Sequence, residues 1–332
     1  ISLEEKDNKF NINGLVLNEK LKITDLKAAD IYYLDEENNK NKFKLNLKNN
    51  TYYLVGSTFN ANTLIKNLIN NDENESKFIE KNFKLNIELN KLFLDKEYSL
   101  ENFNGNLLFN NQKIVNGNLI GIFSDNKKFK YTISSEGDLK ITTLFVEKAE
   151  AIVNRYKFIK GFNEGILDFY SSKKDKESIS KLKIYNFKLK ELPALTKLLT
   201  LASLQGIADL LSGAGIRFDE FEMNFKNKDN VMTIDEIYAI GPAISILMNG
   251  YVEKNKLVSL RGTLVPATTI NKAIGSIPIL GQILVGSKTG EGVFGVSFKI
   301  KGPPKNLETS VNPIKTLTPR FITRTLEKIK KN

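Results

Sequence analysis

The stretch Phe83-Lys-Leu-Asn-Ile-Glu-Leu89 alternates apolar and polar side chains without interruption. Successive side chains of a β-strand point to opposite faces of its sheet, so this period of two predicts a strand with one apolar face and one polar face. The same pattern recurs in Phe43-Lys-Leu-Asn-Leu-Lys48 and in Phe129-Lys-Tyr-Thr-Ile-Ser134. Turn residues such as Asn110-Asn111 and Glu136-Gly-Asp138 separate such runs, which favours a meander of antiparallel hairpins.

Helical spacing interrupts the strands at a few places. We expect short helices over 61–69 and 147–156, a pair of short helices over 268–285, and a terminal helix over 318–331. The longest helical signal runs from Leu192 to Leu211, where only Lys197 and Asp209 are charged. A helix that is apolar around most of its circumference must bury that surface against protein or lipid. The fold class that follows is mostly β with a few helices, the most apolar of which lie near the C-terminal end.

The composition excludes several kinds of functional site. The chain of 332 residues has a formal net charge of +11, with 41% hydrophobic and 26% charged residues, which is ordinary for a folded protein. It has no Cys and no His, so disulfides, thiolate metal sites and histidine-based catalysis are excluded. Its lysines alternate with Asn, Glu and Asp and form no aromatic-interleaved basic patch, so we expect no nucleic-acid partner.

The remaining polar residues form no recognisable catalytic constellation. The carboxylate pairs Asp219/Glu220 and Asp235/Glu236 are adjacent on predicted strands, so the members of each pair point to opposite faces and cannot share a substrate. No glycine motif of a phosphate-binding loop occurs. We therefore expect a protein that is not an enzyme and that has no cofactor and no metal site.

The strand alternation leaves two interpretations of the apolar faces. The side chains either form the dry core of a β-sandwich or line a groove that holds lipid, and the pattern alone favours the dry core. The groove candidates share the apolar phase of three strands: Phe43, Leu45, Leu47, Phe83, Leu85, Ile87, Leu89, Phe129, Tyr131 and Ile133.

The helical segments also leave alternatives open. The Leu192–Leu211 segment is close to the minimum length of about 17 residues for a transmembrane span, but its polar Thr196/Thr200/Ser203 stripe favours a helix that packs on protein or caps the groove. The apolar contact candidates on that helix are Leu195, Leu198, Leu199 and Ala202. The terminal helix either meets anionic lipid headgroups or merely solubilises the end of the chain, and its basic candidates are Arg320, Arg324, Lys328, Lys330 and Lys331.

A series of short motifs in the C-terminal part carries a family resemblance. In chain order they are 192–211, Gly215-Ile-Arg-Phe-Asp219, Gly241-Pro-Ala243, Arg261-Gly-Thr-Leu-Val-Pro266, Ile277-Pro-Ile-Leu-Gly281, Gly290-Glu-Gly292, Ser310-Val-Asn-Pro313 and Leu317-Thr-Pro319. With this order and spacing, the chain resembles the AsmA-like superfamily of bacterial envelope proteins, in particular its YhdP/TamB-type branch. The resemblance is strongest over about 189–320.

The resemblance implies an elongated, curved antiparallel sheet that forms an open groove for acyl chains. It also implies a bridge-like phospholipid transfer protein in the periplasm, with an inner-membrane anchor upstream of this fragment. The expected partners are phospholipid, a membrane surface on the outer-membrane side and other envelope proteins. We expect a groove region over 1–190 and an AsmA-like C-terminal region over 191–332, in one continuous elongated domain. The alternative function is a scaffold for outer-membrane biogenesis that carries no lipid.

Overall fold

The computed structural model of the chain describes residues 1–19, 23–65, 82–110, 113–155, 161–190, 193–201, 213–266, 295–304 and 306–314. Most of these residues belong to β-strands. The strands are β1 Ser2–Glu5, β2 Asn8–Asn13, β3 Val16–Leu17, β4 Ile23–Asp25, β5 Ala28–Leu34, β6 Lys40–Lys48, β7 Thr51–Asn60, β8 Phe83–Phe93, β9 Ser99–Asn110, β10 Lys113–Ile122, β11 Lys128–Glu136, β12 Leu139–Val146, β13 Phe162–Lys174, β14 Glu177–Leu189, β15 Ile216–Lys228, β16 Val231–Ile240, β17 Ile244–Glu253, β18 Leu257–Pro266, β19 Gly295–Gly302 and β20 Glu308–Ile314.

The helices within the described residues are short. Residues 62–65 form the described part of α1, and α2 and α3 cover Glu150–Val153 and Pro193–Leu201. The prediction of a mostly β chain with few helices is confirmed. The expected helices over 268–285 and 318–331 lie outside the described residues, as does the second half of the long helix that we expected to follow α3.

The chain divides into two compact units, each built on its own run of paired strands. The first contains Ile1–Ala151 with Leu167–Asp175, and the second contains Ile152–Ile166 with Lys176–Asn332. In the first unit the strands pair in the order β1, β2, β5, β6, β7, β8, β9, β10, β11, β12 and β13. In the second, β14 to β20 pair in chain order and all neighbours are antiparallel.

One junction in the first unit differs from the expected meander. Strands β7 and β8 run parallel, with Tyr52 beside Leu85 and Leu54 beside Ile87. Parallel neighbours require a crossover, and residues 61–82, which include α1, separate the two strands. The prediction of antiparallel hairpins is therefore wrong at this junction, although the face on which each side chain lies is unchanged.

An apolar cluster closes one end of the sheet in the first unit. Its buried members include Leu26, Tyr52 and Phe83. Leu15, which precedes β3, and Ile23 of β4 pack against them from the β3–β4 ribbon. The Tyr52 and Phe83 rings meet edge to face at a centroid distance of 5.1 Å, a favoured aromatic geometry. The ribbon therefore covers the sheet at this end.

Aromatic stacking forms the corresponding core of the second unit. The Phe187 ring stacks between the rings of Phe162 and Phe218, at centroid distances of 5.2 and 5.3 Å. Helix α3 lies against β20 and buries Leu198 and Leu199, which are 2% and 0% exposed. Gly215, which precedes β15, has a φ of +87°, the left-handed geometry that glycine adopts without strain.

Candidate functional site

A continuous apolar surface crosses the strands of the first unit, and we call it the apolar face. Strand registers align its central row from β6 to β13: Leu45, Leu54, Ile87, Gly105, Leu119, Tyr131, Leu144 and Phe169. A second row beside it contains Leu47, Tyr52, Leu85, Leu107, Gly117 and Ile133. A third row contains Phe43, Gly56, Leu89 and Phe103, and continues through Gly121, Phe129, Val146 and Leu167.

All ten groove candidates predicted from the sequence lie on the apolar face. Phe83, Leu89 and Ile133 are buried, and the other seven are half-buried. The register thus brings together residues from three strands that are far apart in the sequence.

The opposite face of the same sheet is polar. Asn86, Asn106 and Asn118 are consecutive register partners on β8, β9 and β10. Farther along the same row, the hydroxyls of Thr132 and Thr143 are 2.6 Å apart and share a hydrogen bond. Exposed apolar side chains such as Val55, Leu108 and Ile120 also lie on this face, but polar residues interrupt them, so they form no continuous apolar row.

The dimensions of the apolar face follow from strand geometry. Eight strands, β6 to β13, have seven spacings of about 4.8 Å, which gives a length of about 34 Å. The apolar face is three side chains wide along each strand, which corresponds to about 13 Å. Among the described residues of this unit, the strands outside the main sheet are β3 and β4, and their contacts lie at the Tyr52–Phe83 end.

The central row is apolar in its chemistry as well as in its composition. Burial raises the pKa of the Tyr131 phenol above its ordinary value, because the apolar surroundings disfavour the charged phenolate.

At Gly105 the backbone has a φ of +152°, and an added Cβ would lie 2.0 Å from the Asn118 carbonyl oxygen. Glycine thus permits the close approach of β9 and β10 within this row.

Sequence reasoning missed a basic cluster at one border of the apolar face, which we call the lysine rim: Lys140 and Lys173, which lie at positions of the apolar face, and Lys113, which pairs with Asn110 but is near Lys140. Lys140 and Lys173 are direct cross-strand partners on β12 and β13. The half-buried Lys140 side chain donates a hydrogen bond to the Ile114 carbonyl oxygen on β10 at 3.0 Å, so it lies across the intervening strand β11. Desolvation, and then repulsion from Lys173 and Lys113, lower the pKa of Lys140.

A signal for this rim was present in the sequence. Along β12, the side chains on the apolar face are Val146, Leu144, Thr142 and Lys140, which are spaced by two residues. Lys140 therefore lies on the same face of the strand as the apolar residues, and not on the solvated face. The prediction treated the lysines as a group and did not separate them by phase.

The second unit contains a buried charged cluster. Glu222 is 6% exposed, and its carboxylate lies 3.0 Å from the Lys181 ammonium and 3.5 Å from that of Lys183. Desolvation opposes the charge on Lys183, but the nearby carboxylates, Glu222 first, raise its pKa overall. Because the carboxylate is paired with two ammonium groups, we assign this cluster to holding β14 against β15.

The predicted carboxylate pairs are placed as follows. Asp235 is exposed and lies 3.2 Å from the Lys226 ammonium, whereas its neighbour Glu236 is buried at 4% exposure. Within the part of the chain that the structure describes, no group of three or more Asp and Glu residues is arranged to hold a metal ion.

The membrane candidates are only partly within the described residues. Leu195, Leu198 and Leu199 are buried on α3, whereas Ala202 lies outside the described part of the chain. None of the helices that the structure describes has both the length and the apolar character needed to cross a membrane. The basic candidates of the terminal helix also lie outside the described residues: Arg320, Arg324, Lys328, Lys330 and Lys331.

Comparisons of the chain with protein-family models, with curated proteins and with solved structures found no match. The function must therefore be argued from the chemistry of the apolar face.

Proposed function

We propose that this chain is a non-enzymatic lipid-transfer protein of the Gram-negative envelope, and that its apolar face holds phospholipid acyl chains. The observation that carries the proposal is the central row of half-buried apolar side chains, which crosses eight strands opposite a polar face. A sheet with one apolar face requires something to cover it. An amphiphile meets this requirement with its tails.

The dimensions of the apolar face support this assignment. One leaflet of a bilayer accounts for half of a hydrocarbon core of about 30 Å, so an acyl chain extends about 15 Å. The apolar face, about 34 Å long, can accommodate two such chains end to end. Burial is worth about 0.8 kcal/mol per methylene, so ten methylenes contribute about 8 kcal/mol before the cost of ordering the chain.

The apolar face also suits transfer better than tight storage. Its central row carries no charged side chain, so a tail sliding from one strand to the next exchanges one apolar contact for another. No polar partner has to be broken at each step. The barrier to movement of a lipid along the sheet therefore arises mainly where its headgroup is held, and not along the central row that its tails contact.

The resemblance to the AsmA-like superfamily supplies the biological setting of the proposal. In that setting the sheet is elongated and curved into an open groove in the periplasm, and phospholipid moves between the inner and outer membranes. The C-terminal segments for which the sequence predicts apolar helices then meet a membrane surface or other envelope proteins. The buried leucines of α3 agree with packing against protein over the part of that helix that is described.

The proposal is tested by mass spectrometry of lipid that co-purifies with the chain under gentle conditions. We expect stoichiometric phospholipid, and we expect delipidated protein to take it up again from vesicles. A preparation that remains folded and lipid-free after incubation with vesicles would favour the scaffold function, in which protein covers the apolar face.

A further inference from the structure

The apolar face changes character along the two strands β12 and β13. On β12 the side chains run from Leu144 through Thr142 to Lys140, and on β13 they run from Phe169 through Ser171 to Lys173. Each step is two residues, or about 6.7 Å along the strand. The face therefore passes from hydrocarbon to hydroxyl to ammonium over about 13 Å.

This order matches that of the groups in a phospholipid. Acyl methylenes require apolar contact, the glycerol esters accept hydrogen bonds from hydroxyls, and the phosphate accepts charge-assisted hydrogen bonds from ammonium groups. Register places Thr142 beside Ser171, and Lys140 beside Lys173. Two neighbouring strands thus present the same sequence of groups side by side.

The lysine rim has no carboxylate to neutralise it. Among the described residues, none of the acidic side chains lies within 4.0 Å of the Lys113, Lys140 or Lys173 ammonium groups, and this includes Glu136 and Asp138 of the adjacent turn. Lys140 is half-buried, whereas Lys113 and Lys173 are exposed. A partly desolvated ammonium near other positive charges is unfavourable in the free protein, and a bound anion reduces that repulsion.

The other border of the apolar face is different. There the Lys148 ammonium lies 3.0 Å from the Asp125 carboxylate, and that of Lys127 lies 3.4 Å from it. Although burial opposes the charge on Asp125, these two cations hold its pKa below the ordinary value. Lys127 and Lys148 at that border are thus already paired with a carboxylate, which the described lysines of the rim are not.

We propose that the lysine rim is a headgroup site for anionic phospholipid, with the phosphate at the rim and the acyl chains on the central row. This site gives the apolar face a preference for lipids with net negative charge. It also fixes the direction in which a bound lipid lies, with its headgroup at the rim on β12 and β13 and its tails toward Leu144 and Phe169.

The inference rests on the proposed function, and the experiment separates the two. The purified chain is titrated with phosphatidylglycerol and phosphatidylcholine that carry the same fluorescent acyl chain. Three nearby cations each contribute to attraction, so we expect phosphatidylglycerol to bind at least about tenfold more tightly at low salt. The preference is expected to shrink as the salt concentration rises.

Variants locate the preference. The double variant K140Q/K173Q is expected to bind both lipids with the affinity that the native chain shows for phosphatidylcholine. Lys174 provides the matched control, because it is the next residue on β13 and lies on the opposite face. K174Q is expected to retain the full preference. Thermal melting of each variant verifies that it is folded.

Each alternative outcome has a distinct meaning. Equal affinity of the native chain for the two lipids overturns the headgroup site and leaves the proposed function standing. A folded chain that binds neither lipid overturns the proposed function, and the headgroup site with it. If K174Q loses the preference for phosphatidylglycerol as fully as K140Q/K173Q does, the preference depends on the overall charge of the protein, and the assignment of the headgroup site is wrong. Complete displacement of phosphatidylglycerol by millimolar inorganic phosphate would identify a simple phosphate site instead.

Discussion

Replacement of Ile87 by Asp tests the apolar face at its centre. Ile87 is half-buried between Leu54 and Gly105 in the central row. Full burial of an Ile side chain is worth about 1.5–3 kcal/mol, so covering the remaining exposed half with an acyl chain contributes about 1 kcal/mol. An aspartate at this position also has to be desolvated under the tail, at a cost of several kcal/mol. Since about 1.4 kcal/mol corresponds to a tenfold change in affinity, we expect lipid binding to weaken by well over tenfold.

The assay is a titration of delipidated protein with a lipid that carries a fluorescent acyl chain. Asn86→Asp is the matched control, because it places the same carboxylate one residue earlier on the polar face. We expect this control to bind as the native chain does, and both variants to show the circular dichroism of a β protein. Native affinity in a folded Ile87→Asp variant would refute the assignment of the central row to lipid.

Two further predictions concern the fold that supports this surface. Gly105→Ala places a Cβ 2.0 Å from the Asn118 carbonyl oxygen at a φ of +152°, and we expect denaturant unfolding to show a loss of about 2 kcal/mol or more. Gly137→Ala, at a φ of +57° in open space, is the control and is expected to cost only about 1 kcal/mol. Although burial opposes its charge, Asp35 has a lowered pKa because it accepts a hydrogen bond from the Asn60 side chain at 2.6 Å and further ones from backbone amides of its own turn. A lowered carboxyl pKa stabilises the fold above about pH 4 and stops doing so as the pH falls through the folded-state value, so Asp35→Asn is expected to lose about 1–2 kcal/mol at pH 7 and much less near pH 2. Equal losses at both pH values would contradict this account of Asp35.

The strands and their apolar phase were predictable because alternation is a local property. Ile87 and Tyr131 have the face that the period of two assigns to them, whichever strands turn out to be their neighbours. The pairing was not predictable in the same way. The parallel junction of β7 and β8 depends on the path of residues 61–82, and no turn motif in the sequence distinguishes a crossover from a long hairpin loop.

The register itself also required the structure. Irregularities interrupt the pairing of β9 with β10 between Ile114 and Asn116, and again between Ile120 and Ile122. Each shift changes which residues of the two strands are opposite one another, so simple counting from a turn gives the wrong partners. The alignment of Gly105 with Leu119, and hence the continuity of the central row, emerges only from the three-dimensional pairing.

The net charge of +11 has a more specific meaning once the phase of each lysine is known. A lysine on the polar face, such as Lys44 beside Asp30 at 3.1 Å, is solvated and loosely paired, and it adds to the solubility of the sheet. Lys140 and Lys173 have the opposite phase, and the half-buried Lys140 ammonium lies beside apolar surface, where charge is costly unless an anion is present. One set of variants replaces lysines on the polar face, and a second set replaces an equal number of lysines on the apolar face. The two sets then have the same net charge. If lipid selectivity followed net charge, both sets would change it equally, whereas the headgroup site requires that only the substitutions at Lys140 and Lys173 do so.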